Sequence, residues 1–345
     1  MRLLLVKTSS MGDVIHTFAA LTDAKKARPD LEIDWLVEEG FADVARLHPA
    51  VARVVPVAMR RWRRALFSAA TRREVTALRR TLRAADYDLV LDAQGLVKSA
   101  ILSKLAGRPV DGLDGQSLRE PLARFAYARR HAVPKGLHAV ERLRRLFGAA
   151  LGYTPDLTRL DWGLAARTTA DTPTVMLLHG TSWPSKRWPT DCWIDLARLV
   201  ADAGLVPTLT WSDPDEEAVA AAVAEAEPRT HVIPRSRLAE VAAVIASARA
   251  VVGTDTGLTH LAAAYDRPTV AIFLSTAPGL TAPRGAHVTV LAPAIDCAPC
   301  RRPQCPRVAV GARPPCVATV APDRVAEALA DLADAAAAAP RGARA

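Results

Sequence analysis

Asp13 ends a polar loop, Lys7-Thr-Ser-Ser-Met-Gly12, that follows the apolar run Leu3–Val6. A carboxylate delivered at the first turn of the next helix can act as a general base. It can equally do no more than cap that helix, where Asp is favoured anyway. The loop is neither a Walker loop nor a GxGxxG turn. A second set of polar residues follows the run Val175–Leu178: His179-Gly-Thr181-Ser182-Trp-Pro-Ser-Lys186. Two hydroxyls and a cation in a strand-to-helix loop suit a diphosphate, with Lys186 as a point charge. The plainer reading is a loop with an exposed lysine. A third set, Gly253-Thr-Asp255-Thr256-Gly257-Leu-Thr-His260, runs from a strand end into a helix start. The free N–H groups there form an anion site, and Gly257 lets a ligand approach the backbone. Asp255 suits sugar hydroxyls better than phosphate. Glu216 and Glu217 open a helix after Pro214, where one of them can meet a ribose diol or both serve as ordinary N-terminal charge.

Nine arginines and one acid, Glu74, fall between residues 60 and 83. Arg60, Arg61, Arg63 and Arg64 crowd around Trp62. Guanidinium groups bind phosphate and carboxylate in two-pronged fashion, and Trp62 is placed to sit at a membrane interface. A solvated basic helix explains Arg72–Arg83 well and Arg60–Arg64 less well. Nucleic acid is the rival partner, but no DNA- or RNA-binding module signature is present. Cys297, Cys300, Cys305 and Cys316 form a spaced set. Only the first pair has zinc-knuckle spacing, so reduced loop cysteines are favoured over a zinc or iron–sulfur site.

These residues need a scaffold. The 345 residues predict two domains. Half the residues are hydrophobic and 23% are charged, which excludes a disordered or disulfide-scaffold chain. The formal charge is +9, and it is uneven: 27 basic against 16 acidic residues before position 151, and 18 against 20 after it. A basic front half points to an anionic partner. No apolar stretch reaches the ~18 residues that span a bilayer, and the opening apolar run is too short for a signal peptide. The expected location is therefore the cytoplasm, with reduced thiols.

Short apolar runs alternate with helical spacing in both halves, which predicts parallel sheets covered on both faces. In the front half, strands are expected at Leu3–Val6, 33–37, Val54–Val57 and 89–92, and helices at Val14–Lys26, 72–84 and about 98–105. In the back half, strands are expected at Val175–Leu178, Val206–Thr210, Val232–Ile233, Ala250–Val252 and Val270–Phe273. The helices between them are 191–203, 215–226, 238–247 and 256–264, and Pro322–Ala338 closes the chain. A polar linker separates the halves, and two such domains would place a ligand cleft between them.

Together, Val6-Lys-Thr-Ser-Ser-Met-Gly-Asp-Val-Ile-His16, Trp35-Leu-Val-Glu-Glu-Gly-Phe41, Arg60-Arg-Trp-Arg, Asp92-Ala-Gln-Gly-Leu-Val-Lys-Ser99, Arg119-Glu-Pro-Leu and Asp255-Thr-Gly-Leu-Thr-His260 resemble the bacterial lipopolysaccharide heptosyltransferase I enzymes. These are ADP-heptose glycosyltransferases, and the likeness covers about residues 1–335. The resemblance implies a GT-B fold of two Rossmann-like α/β domains with an interdomain cleft. It implies an acceptor domain over 1–160, an ADP-heptose domain over 174–320, a helix over 321–338 crossing back to the first domain, and a tail over 339–345. The implied reaction moves L-glycero-D-manno-heptose, with inversion, from ADP-heptose to the inner Kdo of Kdo2-lipid A in lipopolysaccharide core synthesis. Carried over by motif, Asp13 is the base; Thr181, Ser182 and Lys186 hold the diphosphate, and Glu216 meets the ribose. Asp255, Thr256, Gly257 and His260 meet the diphosphate and heptose. Arg60, Arg61, Arg63, Arg64 and Arg119 are acceptor-side residues. No metal or other cofactor is implied, and the expected setting is the cytoplasmic face of the anionic inner membrane, with no nucleic-acid partner. The alternatives are a heptosyltransferase II acting on the heptosylated core, and a non-catalytic basic nucleic-acid-binding protein; an NAD-linked oxidoreductase lacks its glycine fingerprint.

Overall fold

The computed structural model describes residues 1–165, 173–309 and 312–338. The centre of the expected linker and the 339–345 tail lie outside the described residues. The chain forms two compact units, Met1–Leu164 and Ala165–Ala345.

The first unit is built on β1 (Arg2–Val6), β2 (Glu32–Glu38), β3 (Val51–Val57), β4 (Leu89–Asp92), β5 (Val110–Leu113) and β6 (Arg129–His131). All pair in parallel, in the order β3-β2-β1-β4-β5-β6. Leu3, Leu4, Leu5 and Val6 are fully buried, as a central parallel strand covered on both faces requires. The order reverses between β1 and β4. Such a switch point opens a crevice at the carboxyl ends of the strands.

The helices of this unit are α1 (Met11–His16), α2 (Phe18–Ala27), α3 (Ala42–Arg46), α4 (Met59–Arg64), α5 (Ala69–Ala84), α6 (Val97–Lys104) and α7 (Ala139–Leu151). The single helix expected over Val14–Lys26 is interrupted at Thr17. The Thr17 hydroxyl donates to the Asp13 carbonyl (2.9 Å), an alternative to the regular helical bond. Helix α7 is held to α2 by Arg144, whose guanidinium meets Asp23 at 2.6 and 3.1 Å.

The second unit repeats the plan with β7 (Thr174–Leu178), β8 (Val206–Leu209), β9 (His231–Val232), β10 (Ala250–Thr254), β11 (Thr269–Ile272) and β12 (Val288–Leu291). The order is β12-β11-β10-β7-β8-β9, again parallel, with the switch between β7 and β10. Its helices are α8 (Thr190–Asp202), α9 (Pro214–Ala226), α10 (Leu238–Ser247), α11 (Gly257–Ala264), α12 (Pro278–Thr281) and α13 (Pro322–Ala338). Trp188 and Trp193 meet edge to face at 4.9 Å in the core. The closing helix α13, for which a return to the first domain was expected, has Val325 and Leu329 in the core of this second unit, beside α8.

Candidate active site

In the first unit, the β1–α1 loop sits at the switch point. Gln94, from the loop after β4, accepts the backbone N–H groups of Thr8 and Ser9, each at 3.0 Å. Asp92 sets that second loop by accepting from the N–H groups of Gln94 (2.9 Å) and Gly95 (3.1 Å) and from the hydroxyls of Ser99 and Tyr127 (2.8 Å each). Asp13 is the third residue of α1. Its Oδ2 accepts from the Ser10 N–H (2.9 Å) and the Ser10 hydroxyl (3.0 Å), and its Oδ1 lies 3.4 Å from Lys7 Nζ. Base and cap are therefore compatible, since one oxygen does most of the capping. Burial alone would raise this carboxyl. The Lys7 charge, then His16 and the Ser10 hydrogen bonds, outweigh it and hold the pKa at about 2. The side chain remains 39% exposed.

The Arg60–Arg64 run is helix α4. Glu38 caps it, accepting the N–H groups of Met59 (3.2 Å) and Arg60 (3.1 Å). Arg60 lies over the Phe41 ring at 5.2 Å, and Arg61 is occupied by Glu74 (2.8 and 3.0 Å) and Glu39. Arg63 and Arg64 are exposed. Trp62 does not reach a membrane interface: it is 6% exposed, and its indole N–H donates to Glu74 at 2.7 Å. Arg119 is exposed on the crossover after β5. It leaves the sheet four strand positions from α4, about 19 Å at the usual strand spacing. Arg119 and Arg60–Arg64 are thus separate basic groups on one edge of the sheet.

In the second unit, the loops after β7 and β10 come together beside the switch point. Lys186 Nζ pairs with Asp255 Oδ2 at 2.7 Å and lies over the Trp183 ring at 4.9 Å. The Thr181 hydroxyl donates to the Asp255 carbonyl (3.1 Å) and the Thr276 hydroxyl to Asp255 Oδ2 (2.7 Å). His260 Nε2 is 3.6 Å from Asp255 Oδ1. Burial would raise the Asp255 carboxyl, but His260 and Lys186 hold it well below the usual carboxylate range. Lys186 is therefore not the exposed lysine of the plainer reading. Thr256 is the N-cap of α11 and Gly257 its first residue, so the N–H groups at that helix start lie beside the pair.

Glu216 joins this group from α9. His179 Nε2 is 2.9 Å from the Glu216 carbonyl, and the Glu216 carboxylate accepts from the Ser212 N–H and hydroxyl at 2.8 Å each. Ser182 is exposed on the same loop. Sequence reasoning assigned no role to Lys7, Gln94, His179 or Thr276. The available signal was position, since each lies in a loop at the carboxyl end of a strand.

Cys297, Cys300, Cys305 and Cys316 line one small cavity, about 40 Å³, with Ser185 and Ser275. Burial, then the neighbouring thiols, pushes the Cys316 thiol up. Among the described residues, no group of three or more His, Cys, Asp or Glu is arranged to hold a metal. The segment is tied to the loops after β7 and β11: Ser185 Oγ meets Ser275 Oγ (2.9 Å) and the Arg302 carbonyl (2.5 Å), and the Arg301 N–H donates to the Ser275 carbonyl (2.7 Å).

Two Rossmann-like units with parallel sheets are the architecture of the GT-B fold; here one carries a carboxylate at its switch point and the other a lysine and a helix start. Residues 75–310 match the profile of glycosyltransferase family 9 (heptosyltransferase), and the chain belongs to that family. It is 47% identical to lipopolysaccharide heptosyltransferase 1 of Pseudomonas aeruginosa over 310 residues, covering 88% of this chain and 87% of the relative. To the Escherichia coli K12 enzyme of the same name it is 48% identical over 286 residues, covering 81% and 90%. Among solved structures, Escherichia coli heptosyltransferase WaaC with ADP superposes with a TM-score of 0.85 at 41% identity, covering 96% of this chain and all of that one.

Proposed function

We propose that this protein is an inverting glycosyltransferase that moves L-glycero-D-manno-heptose from ADP-heptose to the inner Kdo of Kdo2-lipid A. The observation that carries the reading is the Lys186–Asp255–His260 group at the start of α11, in a chain nearly half identical to lipopolysaccharide heptosyltransferase 1 over most of its length.

In this reading the second unit binds the donor. Lys186, the Thr181 and Ser182 hydroxyls and the N–H groups at Thr256–Gly257 receive the diphosphate. Asp255 and His260 take heptose hydroxyls, and Glu216 takes the adenosine ribose. The first unit binds the acceptor. An acceptor hydroxyl oxygen attacks the anomeric carbon from the face opposite the diphosphate. The C–O bond to ADP breaks, ADP leaves with the electron pair, and the hydroxyl proton passes to the Asp13 carboxylate. Positive charge fixed at Lys186 and the helix start stabilises the departing diphosphate. The sugar develops oxocarbenium character, as in glycoside cleavage.

The acceptor carries phosphates and carboxylates on a lipid anchor. Arg63, Arg64, Arg119 and the remaining donor groups of Arg60 and Arg61 match that chemistry. Peripheral attachment to the cytoplasmic face of an anionic inner membrane follows. Among the described residues, no helix is long and apolar enough to cross a membrane. Incubation with ADP-heptose and Kdo2-lipid A tests the reading: mass spectrometry should show one added heptose. Turnover only on an already heptosylated core would assign the later step instead.

A further inference from the structure

Exposed apolar side chains are unevenly placed. Among the described residues, the most exposed large ones are Phe67 (90%), Leu122 and Phe125 (70% each), Ile101 (63%) and Leu66 (58%). All five lie in the first unit. They also lie on crossovers that leave the same edge of the sheet. The strands are parallel, so the crossovers after β3, β4 and β5 all begin at the carboxyl edge of the sheet. Leu66 and Phe67 join α4 to α5 after β3. Ile101 lies one turn into α6 after β4. Leu122 and Phe125 lie on the 3₁₀ turn Pro121–Ala126 after β5. That turn packs on α6, with Glu120 accepting the Val97 N–H at 2.8 Å.

Each apolar pair is set among cations. Residues 60–73 hold six arginines and no acid, 97–104 hold two lysines and no acid, and 119–125 hold Arg119 and Arg124 against Glu120. The Arg124 guanidinium lies over the Phe125 ring at 4.8 Å. Basic groups favour an anionic surface, and apolar groups between them favour one with an apolar layer just beneath. A nucleic-acid duplex satisfies the first demand only, and the aliphatic Leu66, Ile101 and Leu122 offer single strands no stacking face.

We propose that this edge docks on an anionic lipid bilayer. Leu66 and Phe67 on one side, and Leu122 and Phe125 on the other, enter the headgroup layer while the neighbouring arginines pair with lipid phosphates. The proposal rests on the reading of the acceptor as lipid-anchored and names the surface that brings the enzyme to it. It does not use Trp62, which is buried.

The test is flotation of the full-length protein with vesicles of phosphatidylethanolamine and phosphatidylglycerol, beside vesicles of phosphatidylcholine alone. Expected is binding to the anionic vesicles only, weakened by high salt. Leu66→Ser with Phe67→Ser, and separately Leu122→Ser with Phe125→Ser, should each lower partitioning about tenfold or more, as loss of buried apolar area requires. Phe67→Trp should add a fluorescence component quenched by brominated lipid. The serine variants should melt like the parent and transfer heptose normally to detergent-dispersed acceptor. Vesicle binding unchanged in both double variants, no added quenching, or binding to an RNA oligomer in place of vesicles would overturn the proposal. A parent protein that floats but transfers no heptose would instead overturn the function and leave the docking face standing.

Discussion

Gly180→Ala should impair donor binding without harming the fold. A methyl at Gly180 would stand 2.7 Å from the Glu216 carboxyl carbon and 3.2 Å from Oε2, with Oε1 nearer still. Ordinary carbon–carbon contact is about 3.5–4.0 Å, so the carboxylate must withdraw by roughly 1 Å. The obstacle is the end of a flexible side chain, and position 180 lies outside the left-handed backbone region, so the cost to folding is small. The cost falls on the ligand. A hydrogen bond to a charged group contributes about 1.5–3 kcal/mol. Glu216 is only half-buried, which favours the lower figure: about a tenfold rise in KM for ADP-heptose, with kcat nearly unchanged. Steady-state kinetics with varied donor reads this directly. Glu216→Ala should raise KM similarly, and the double variant should be no worse than either single one, because both changes remove the same contact. A Gly180→Ala enzyme with unchanged donor KM, or losses that multiply in the double variant, would refute the assignment of Glu216 to the ribose.

Lys186→Met should weaken donor binding and slow transfer, since it removes the charge that meets the diphosphate; isothermal titration with ADP and single-turnover rates check both effects. His48 should make stability depend on pH. Burial lowers its pKa from 6.5 to about 4, partly offset by Asp161, and Nδ1 accepts the Ala50 N–H while Nε2 meets Thr22 at 3.0 Å. The unfolded chain takes up this proton below about 6.5 and the folded chain only near 4, so stability should fall as pH drops through that window, by about 3 kcal/mol at most. Urea unfolding at stepped pH measures the slope, and His48→Gln should flatten it.

The central strands were legible because buried parallel strands are continuous apolar runs, and Leu3–Val6 and Ala250–Val252 both fit. Strands β5, β6 and β12 were not read. In β5 the sequence Val-Asp-Gly-Leu looks like a turn. Yet Asp111 is fully buried, paired with Arg129 and His131 at 3.0 Å each. Gly112 is there because the Tyr127 ring lies against it: a Cβ would fall 2.6 Å from a ring carbon. Such a strand is specified by partners distant in sequence, which no local pattern reports. The arginine run was read by charge, and its helical period with Trp62 turned inward was missed; the Glu74 that fixes Trp62 lies 12 residues away.

Asp13, Lys186 and Asp255 stand out in the sequence because their residue types follow strand ends. Thr276 on Asp255 appears only when separate loops are brought together, whereas Lys7 meets Asp13 through the folding of their own loop.

Asp13→Asn is the most direct test of the proposed chemistry. The amide oxygen can still accept from Ser10, so α1 keeps its cap, while the negative charge and its capacity to take a proton are lost. Transfer from ADP-heptose to Kdo2-lipid A should be followed by mass spectrometry, with donor affinity measured on the same preparation. Expected is a fall in kcat of about 10²–10⁴-fold with ADP-heptose affinity within a few fold of the parent. An Asp13→Asn enzyme that turns over like the parent would contradict the assignment of the base.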